Sequence, residues 1–237
     1  MSTVPPVPSA GEEGRVSERF GEHGTPHEKS RADPLRVVAV AAGLGTPSST
    51  RLLADRLAAA TRDHLTEAGH PAEVTVVELR DLATDIANAM VTGFPGTRLR
   101  TTIEAVTGAD GLIAVSPIFS ASYSGLFKSF FDVIDNTALA GRPVLIAATG
   151  GTARHSLALE HALRPLFTYL RAIVVPTAVY AAPEDWGTGG DGAGDLAARI
   201  GRAAGELAAL MGHRPPASPA QETVVPFEDQ LAALRPD

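Results

Sequence analysis

Two hydrophobic patterns alternate along the chain from residue 35 onward. Short apolar runs with many β-branched residues indicate buried strands, and longer segments with apolar residues every three or four positions indicate helices. The first such run, residues 35–42, is followed by a segment with Leu53, Leu57 and Ala60 at helical spacing. The patterns predict strands at 35–42, 73–79, 110–116, 143–149 and 172–180, and helices at 48–68, 97–107, 123–136, 154–170 and 195–212.

Five successive strand–helix repeats predict an α/β protein with a doubly wound parallel sheet and helices on both faces. The pattern places this domain at residues 35–212. Residues 1–34 are rich in Pro, Gly, Glu and Ser and have almost no apolar spacing, which predicts a disordered tail. Residues 213–237, which contain several prolines, are predicted to form a second tail.

Composition and charge narrow the class of protein. The formal net charge of −7 disfavours non-specific nucleic-acid binding, because a surplus of basic residues is needed to neutralise phosphates. The chain has no cysteine, which excludes disulfides, thiol catalysis and thiolate metal sites. No apolar signal segment opens the chain and no run approaches the length of a membrane span. We therefore expect a cytoplasmic protein with no nucleic-acid or membrane partner.

Three loops that follow predicted strands have unusual compositions. The first, Gly43–Thr50, combines glycines with four hydroxyl-bearing residues at the start of a helix. Backbone N–H groups and the helix dipole favour anions there, so this loop predicts a phosphate site. The second loop, 116–125, contains Phe119 and Tyr123, and the third, 149–155, contains Gly150-Gly151. Ligands of open α/β sheets bind beyond the carboxyl ends of strands, where one ligand could contact all three loops.

Each loop also has a structural interpretation. Glycine and serine after a strand are ordinary turn residues, and Gly150-Gly151 could be only a tight turn. Phe119 and Tyr123 could cap the core, and His155 could be a polar residue at a helix N-terminus. The functional interpretation gains from the coincidence of three such loops at one edge of the sheet.

Other phosphate and catalytic motifs do not match. The Gly-x-x-x-x-Gly-Lys-Ser/Thr motif of nucleotide triphosphatases is absent, as is the Gly-x-Ser-x-Gly elbow of serine hydrolases. Gly43-x-Gly45-x-x-Ser48 lacks the third glycine of a dinucleotide fingerprint, and Glu78 lies 33 positions beyond Gly45 instead of about 20. His155 and His161 are six positions apart, which is not one helical face, so no metal site is expected.

Aromatic and glycine residues beside a phosphate loop suit a planar ring that carries a phosphate tail. An isoalloxazine needs a flat apolar wall, which the stretch from Pro117 to Tyr123 could supply. Its pyrimidine edge needs backbone donors at close range, and the small residues Gly150, Gly151 and Thr152 allow that approach. FMN meets these requirements.

The motifs resemble those of the NADPH-dependent FMN reductase family of flavodoxin-like proteins over about residues 35–182. The most specific of these motifs is the stretch Gly150–Pro165. It is similar to alkanesulfonate-type FMN reductases and to an actinobacterial branch paired with luciferase-like monooxygenases. The resemblance implies a flavodoxin-like five-stranded sheet of order 2-1-3-4-5. It is carried by three stretches, Gly43–Thr50, Pro117–Lys128 and Gly150–Pro165.

The resemblance also implies which residues contact the cofactor. The FMN phosphate would be held by Thr46, Ser48, Ser49 and Thr50, the ring would be lined by Pro117, Ile118, Phe119 and Ser120 within the wall that runs to Tyr123, and its polar edge would meet Gly150, Gly151 and Thr152. No acid–base residue is required, because the flavin carries the chemistry. His155 is the candidate for positioning the nicotinamide or the flavin.

Two positions depart from the family pattern. Phe119 stands where many relatives carry tyrosine, which removes a hydroxyl that could bond the flavin. The arginine that is frequent in the family's first loop is not evident, unless Arg51 serves. These departures leave open whether the flavin binds as a substrate or as a prosthetic group.

The function implied by the resemblance is that of an NAD(P)H:FMN oxidoreductase, with NADPH or NADH as electron donor, that supplies reduced FMN to a two-component, luciferase-like monooxygenase. The alternatives are an FMN-containing NAD(P)H quinone or azo-type reductase, a flavodoxin-like electron carrier, and a scaffold that has lost its ligand. A homodimer or homotetramer is also implied, with the Tyr123–Asp135 segment at or near the interface.

Overall fold

A largely parallel β-sheet is the centre of the computed structural model, which describes residues 33–187 and 191–213. The described residues fall within one compact unit, residues 29–217. The predicted tails lie almost wholly outside the described residues, and those tails and the domain bounds stay predictions. The strands are β1 (Leu35–Ala41), β2 (Ala72–Glu78), β3 (Gly111–Phe119), β4 (Ser122–Tyr123), β5 (Pro143–Thr149), β6 (Ile173–Val174) and β7 (Val179–Ala181).

The strand order in the sheet is β2-β1-β3-β5-β6, and these strands pair in parallel. β7 also pairs in parallel with β5, while β4 pairs antiparallel with the end of β3. Among the described residues the sheet therefore has seven strands, where the sequence predicts five. The register places Ala41 beside Val115 and Pro117 beside Thr149. The carboxyl ends of β1, β3 and β5 consequently meet at one edge.

The predicted strand at 172–180 consists of the two short strands β6 and β7. Pro176, which lies between them, has no backbone N–H to donate to a sheet ladder. The next N–H, that of Thr177, donates to the Glu206 carboxylate at 2.7 Å instead of to a strand. The ladder with β5 is therefore interrupted and then resumes at Val179.

Six α-helices surround the sheet in the described part of the chain, with two on one face and four on the other. Val37, Ala39 and Ala41 of β1 pack in the same core cluster as residues of α1 and α6, whereas Val38 and Val40 pack with residues of α2 to α5. This period-two division of one strand is what a sheet covered on both faces requires. The helices are α1 (Ser49–Glu67), α2 (Ala83–Thr92), α3 (Thr97–Thr107), α4 (Gly125–Asp132), α5 (Arg164–Tyr169) and α6 (Asp191–Gly212).

Two helical segments differ from the sequence prediction. The helix α2, of ten residues, was not predicted from the sequence. Its buried positions are Ile86 and Ala89, whereas its apolar residues Met90 and Val91 are exposed. The apolar residues of this helix therefore do not all lie on its buried face, and their spacing does not identify that face. The predicted helix at 154–170 is a 3-10 turn, a π-helical segment at Leu159–Leu163 and then α5. The π segment ends two residues before Pro165, whose missing N–H prevents a regular helix from keeping all its hydrogen bonds.

Within the described residues, no helix combines the length and the apolar character needed to cross a membrane.

Candidate functional site

A cavity of about 350 Å³ lies at the sheet edge where β1, β3 and β5 end. All three loops singled out from the sequence contribute to its wall. The first supplies Ser48, Ser49 and Thr50, the second Pro117, Ile118 and Phe119, and the third Gly150 and Gly151. The wall also contains residues to which the sequence analysis gave no contact role, which are Gly43, Leu44, Gly45, Pro47, Thr149 and Pro183.

The other predicted contacts lie outside this wall. Thr46, Ser120, Tyr123 and Thr152 belong to the same loops but do not line the cavity. His155 also does not line it and is exposed on the short 3-10 turn Ala153–His155. The structure therefore brings together eight of the twelve predicted FMN contacts and leaves the candidate catalytic histidine apart from them.

The N-terminus of α1 offers free hydrogen-bond donors to the cavity. Ser48 is the N-cap, and its hydroxyl accepts a hydrogen bond from the backbone N–H of Arg51 at 3.1 Å. The first-turn N–H groups of Ser49 and Thr50 have no acceptor among the described residues. Because these donors lie at the positive end of the helix dipole, they form a site suited to a phosphate.

Gly43 lets β1 turn tightly into this helix. A β-carbon at this position would lie 2.1 Å from the Ser48 hydroxyl oxygen and 3.0 Å from the Thr50 β-carbon. The first contact is too short to persist, so any side chain at this position would displace the Ser48 hydroxyl from its place at the N-terminus of α1. Glycine therefore lets the loop keep Ser48 and Thr50 close to the end of β1.

The hydroxyls of Thr50 and Thr149 are 2.8 Å apart and hydrogen-bonded. Both side chains are buried, with 2% and 4% of their surface exposed. The Thr50 hydroxyl is thus engaged with Thr149, and the Thr50 backbone N–H is a further donor that has no acceptor among the described residues.

An arginine that the sequence analysis did not name holds the first loop from outside. Arg80 follows the end of β2 and donates from its Nη1 to the Gly45 carbonyl oxygen, at 2.9 Å, and to the Thr46 hydroxyl. Arg51 points elsewhere, to Asp55 and Glu78, each at 2.8 Å. The hydrogen bonds that Arg51 donates to these carboxylates, above all to Asp55, raise the pKa of Arg51. The signal for Arg80 in the sequence is its place just beyond β2, the neighbour of β1.

The second loop is a tight hairpin that presents Phe119 at the cavity. β3 and β4 pair through Phe119 and Ser122, and the two residues between them, Ser120 and Ala121, have φ values of 48° and 66°. This is the backbone of a two-residue hairpin turn, which these non-glycine residues adopt at some cost in strain. Phe119 is left 48% exposed beside the cavity.

The residues that follow the hairpin turn face the core. The Tyr123 ring is half-buried, with its centroid 5.9 Å from that of Phe127 in α4. The buried Ser116 hydroxyl accepts from the Ser124 backbone N–H at 3.0 Å, which ties the two ends of the loop together. Tyr123 therefore supports the hairpin from the core side.

The third loop rests on Tyr180 of β7. The Tyr180 hydroxyl donates to the Thr152 carbonyl oxygen at 2.9 Å. A β-carbon at Gly150 would lie 2.0 Å from that hydroxyl oxygen, so only glycine fits between the tyrosine and the cavity. Burial, and to a smaller extent the charge of Glu184, raise the pKa of Tyr180, which keeps the phenol protonated as a donor. The sequence analysis missed Tyr180, because its partners lie 28 and 30 positions away.

The cavity mixes apolar and polar groups without a metal centre. Leu44 and Phe119 are exposed apolar side chains in its wall, and the free N–H groups of α1 are its polar end. No group of three or more His, Asp or Glu side chains that could hold a metal ion occurs in residues 33–187 and 191–213.

Comparison with known proteins gives a consistent set of relatives. Residues 35–187 match the family profile of NADPH-dependent FMN reductases. The chain is 40% identical over 181 residues to a protein of Pseudomonas aeruginosa named FMN reductase (NADPH), covering 76% of this chain and 95% of that protein. It is also 40% identical over 179 residues to the NADH-dependent FMN reductase SfnF of Pseudomonas fluorescens, covering 76% of this chain and 93% of SfnF.

Solved structures agree with these relatives. A crystal structure of an oxidoreductase from Corynebacterium diphtheriae has 46% sequence identity and a TM-score of 0.74, and the match covers 76% of this chain and 98% of that chain. A flavodoxin, WrbA-like protein from Agrobacterium tumefaciens has 16% identity and a TM-score of 0.53, over 77% of this chain and all of that chain. The second match shows the fold alone, which is flavodoxin-like.

Proposed function

The chain belongs to the family of NADPH-dependent FMN reductases, and we propose that the cavity at the carboxyl edge of its sheet binds the FMN that NADPH or NADH reduces. The observation that carries this proposal is the convergence of a donor-rich helix N-terminus, an exposed aromatic residue and a glycine turn on one cavity. These are the three kinds of group that a phosphate, a flat ring and its polar edge require.

The chemistry of the cavity residues fits FMN. Gly43 and Gly150 line the cavity and carry no side chain, so a ligand can approach the backbone at both places closely. A phosphate requires several donors, and the free N–H groups of Ser49 and Thr50 supply them with the hydroxyl of Ser49. The wall formed by Pro117, Ile118 and Phe119 supplies apolar surface for a ring.

The proposed roles of the predicted contacts follow from their positions. Ser48 and Ser49 hold the phosphate through hydroxyl and backbone groups, and Thr50 holds it through its N–H. Thr46 reaches the phosphate through its hydroxyl, from the rim of the loop. Gly150 and Gly151 allow backbone contact with the polar edge of the ring. Ser120, Tyr123 and Thr152 support these groups from behind, through the hairpin and the bond to Tyr180.

The work of the chain in the reaction is orientation. When bound, FMN supplies the redox chemistry by accepting a hydride from C4 of the nicotinamide at its N5. The chain holds the ring against Phe119 and the third loop, so that one face stays open to a nicotinamide. No side chain of the cavity wall is required to donate or accept a proton. His155 is exposed beyond the third loop, and its proposed role is to position the nicotinamide or the flavin.

We also propose that the reduced FMN leaves the protein for a flavin-dependent, luciferase-like monooxygenase in the cytoplasm. The exposed Leu44 and Phe119 at the cavity are consistent with a flavin that exchanges. The same proposal includes a homodimer or homotetramer with the Tyr123–Asp135 segment near the interface. It also includes a sheet order of 2-1-3-4-5 for the five strand positions.

The test is anaerobic mixing of the purified protein with FMN and either NADPH or NADH, followed at the flavin absorbance band. Bleaching with either donor is expected. Absence of both bleaching and FMN binding would contradict the proposal and leave a scaffold without a ligand.

Two further measurements separate the alternative functions. Release of reduced FMN supports the proposal, whereas double-displacement turnover of a quinone with FMN still bound would indicate a quinone or azo-type reductase. Bound flavin that a reductase reduces but that neither nicotinamide bleaches would indicate an electron carrier.

A further inference from the structure

We propose that Arg80 is a positioning residue that gives the cavity its preference for a phosphorylated flavin over the same flavin without phosphate. This inference rests on the proposed binding of FMN. Arg80 does not line the cavity, and it acts on the ligand only through the loop residues Gly45 and Thr46.

The Arg80 guanidinium is fixed on both of its sides. Its Nη2 lies 3.1 Å from a carboxylate oxygen of Glu78, the last residue of β2. Its Nη1 donates to the Gly45 carbonyl oxygen and to the Thr46 hydroxyl. The side chains of Glu78 and Arg80 are only 16% and 28% exposed, so this ion pair is partly shielded from water, while the bonds to Gly45 and Thr46 lie at the exposed loop.

Glu78 is itself held in place by a second arginine. Its other carboxylate oxygen pairs with Arg51 Nη1 at 2.8 Å, and Arg51 Nε pairs with Asp55 at 2.8 Å. Arg80 Nε also lies 3.7 Å from Asp81. Because two guanidinium groups here face three carboxylates, the cluster has no positive charge to spare. Arg80 therefore acts by holding the loop, and attraction of the phosphate by its charge is largely cancelled.

The two bonds to the loop have distinct consequences for an anion. The Gly45 carbonyl oxygen is an acceptor that would repel a phosphate oxygen, and its bond to Arg80 pairs it with a donor. The Thr46 hydroxyl accepts from Arg80, so its own proton is left for donation. Arg80 thus removes an acceptor from the phosphate site and sets a hydroxyl to donate there.

The remainder of the cavity does not depend on Arg80. The aromatic wall at Phe119 and the glycine turn at Gly150 are held by the hairpin and by Tyr180, which belong to other elements. Loss of Arg80 should therefore weaken the binding of the phosphate and leave ring binding almost unchanged.

The test measures dissociation constants of FMN and of riboflavin, which lacks the phosphate, for the full chain and for Arg80→Ala. We expect Arg80→Ala to raise the FMN constant about tenfold and to change the riboflavin constant less than about twofold. The matched control is Arg98→Ala, because Arg98 is an exposed arginine that pairs with Asp85 on the protein surface. It should change neither constant.

A double-mutant cycle tests the route through Thr46. Thr46→Val should weaken FMN binding, and Arg80→Ala should add less in that background than it does alone, because both changes remove the Thr46 donor and only the effect through Gly45 remains. If Arg80→Ala does not fold, Thr46→Val still tests the bond between Arg80 and Thr46, because it removes the acceptor of that bond. The inference would be overturned if Arg80→Ala weakened FMN and riboflavin binding equally or left the FMN dissociation constant unchanged. Strictly additive losses of FMN affinity in the double-mutant cycle would also overturn it. Failure of the unaltered protein to bind either flavin would instead overturn the proposed function.

Discussion

The hydroxyl groups of Thr50 and Thr149 meet at 2.8 Å in the wall of the cavity, although the two residues are 99 positions apart. Thr50 lies in the first turn of α1 and Thr149 ends β5. Their hydrogen bond therefore joins the loop proposed to hold the phosphate to the loop proposed to receive the polar edge of the ring. It fixes the distance between the two ends of the proposed ligand site.

Thr50→Val should lower the free energy of unfolding. Valine has nearly the same shape, but it leaves the buried Thr149 hydroxyl without its partner, at a cost of about 1–3 kcal/mol. FMN affinity should change little, since the Thr50 backbone N–H is the proposed donor. Chemical denaturation and equilibrium FMN titration measure the two effects, with Thr50→Ser as the control that keeps the hydroxyl. A valine variant as stable as the serine variant would contradict this account of the bond.

Ser48→Ala and Ser49→Ala should have different effects. Ser48 caps α1, so its loss should cost about 1 kcal/mol of stability in addition to any loss of binding. The exposed Ser49 hydroxyl makes no hydrogen bond within the described residues, so Ser49→Ala should weaken FMN binding and leave thermal unfolding unchanged. Differential scanning calorimetry and FMN titration measure the pair. Unchanged FMN affinity in both variants would show that these serines do not hold the phosphate.

Gly150→Ala and Tyr180→Phe should be coupled. The alanine β-carbon would lie 2.0 Å from the Tyr180 hydroxyl oxygen, which we expect to cost about 1–3 kcal/mol. Tyr180→Phe removes that oxygen together with the bond to Thr152, at about 1 kcal/mol. Chemical denaturation of the double variant should therefore show a smaller loss than the sum of the single variants. Strict additivity would mean that the tyrosine moves away without cost.

Phe119→Ala should reduce affinity for both FMN and riboflavin by about two- to tenfold, as expected for the loss of an aromatic contact worth ~0.5–1.5 kcal/mol. Its effect on stability should be small because the side chain is 48% exposed. Phe94→Ala is the matched control, since Phe94 is 79% exposed and does not line the cavity. Flavin fluorescence titration measures the affinities, and equal behaviour of the two variants would remove Phe119 from the ring site.

Sequence patterns predict the regular elements well where burial is periodic or continuous. The runs that form β1, β3 and β5 are apolar and β-branched, and the helical spacing of α1 and α6 reports their buried faces. The pattern fails at α2, where exposed Met90 and Val91 mask a short amphipathic face. It also fails between β6 and β7, where Pro176 is a local signal of the break and Thr177 bonds to Glu206 of a distant helix.

The candidate site is also predictable only where its signals are local in the chain. Glycine turns and hydroxyls close together in the chain identify the first and third loops, because their chemistry is local. Arg80 and Tyr180 were missed because each acts on a loop from a different strand, so nothing in their own neighbourhood indicates the role. Thr46 and Tyr123 are in the predicted loops, but the direction of their side chains depends on Arg80 and Phe127.

By itself, the sequence determined the α/β class and the three loops of unusual composition, because these depend on local composition and spacing, and the motifs in those loops carry the resemblance to the family. Tertiary structure alone decided which residues of those loops face the cavity, and which distant side chains hold them there. The physical reason is that parallel pairing brings the ends of β1, β3 and β5 to one edge, where bonds such as Thr50 to Thr149 and Arg80 to Gly45 join residues far apart in the chain. Such contacts follow from the packing of whole elements, and a local pattern carries no record of them.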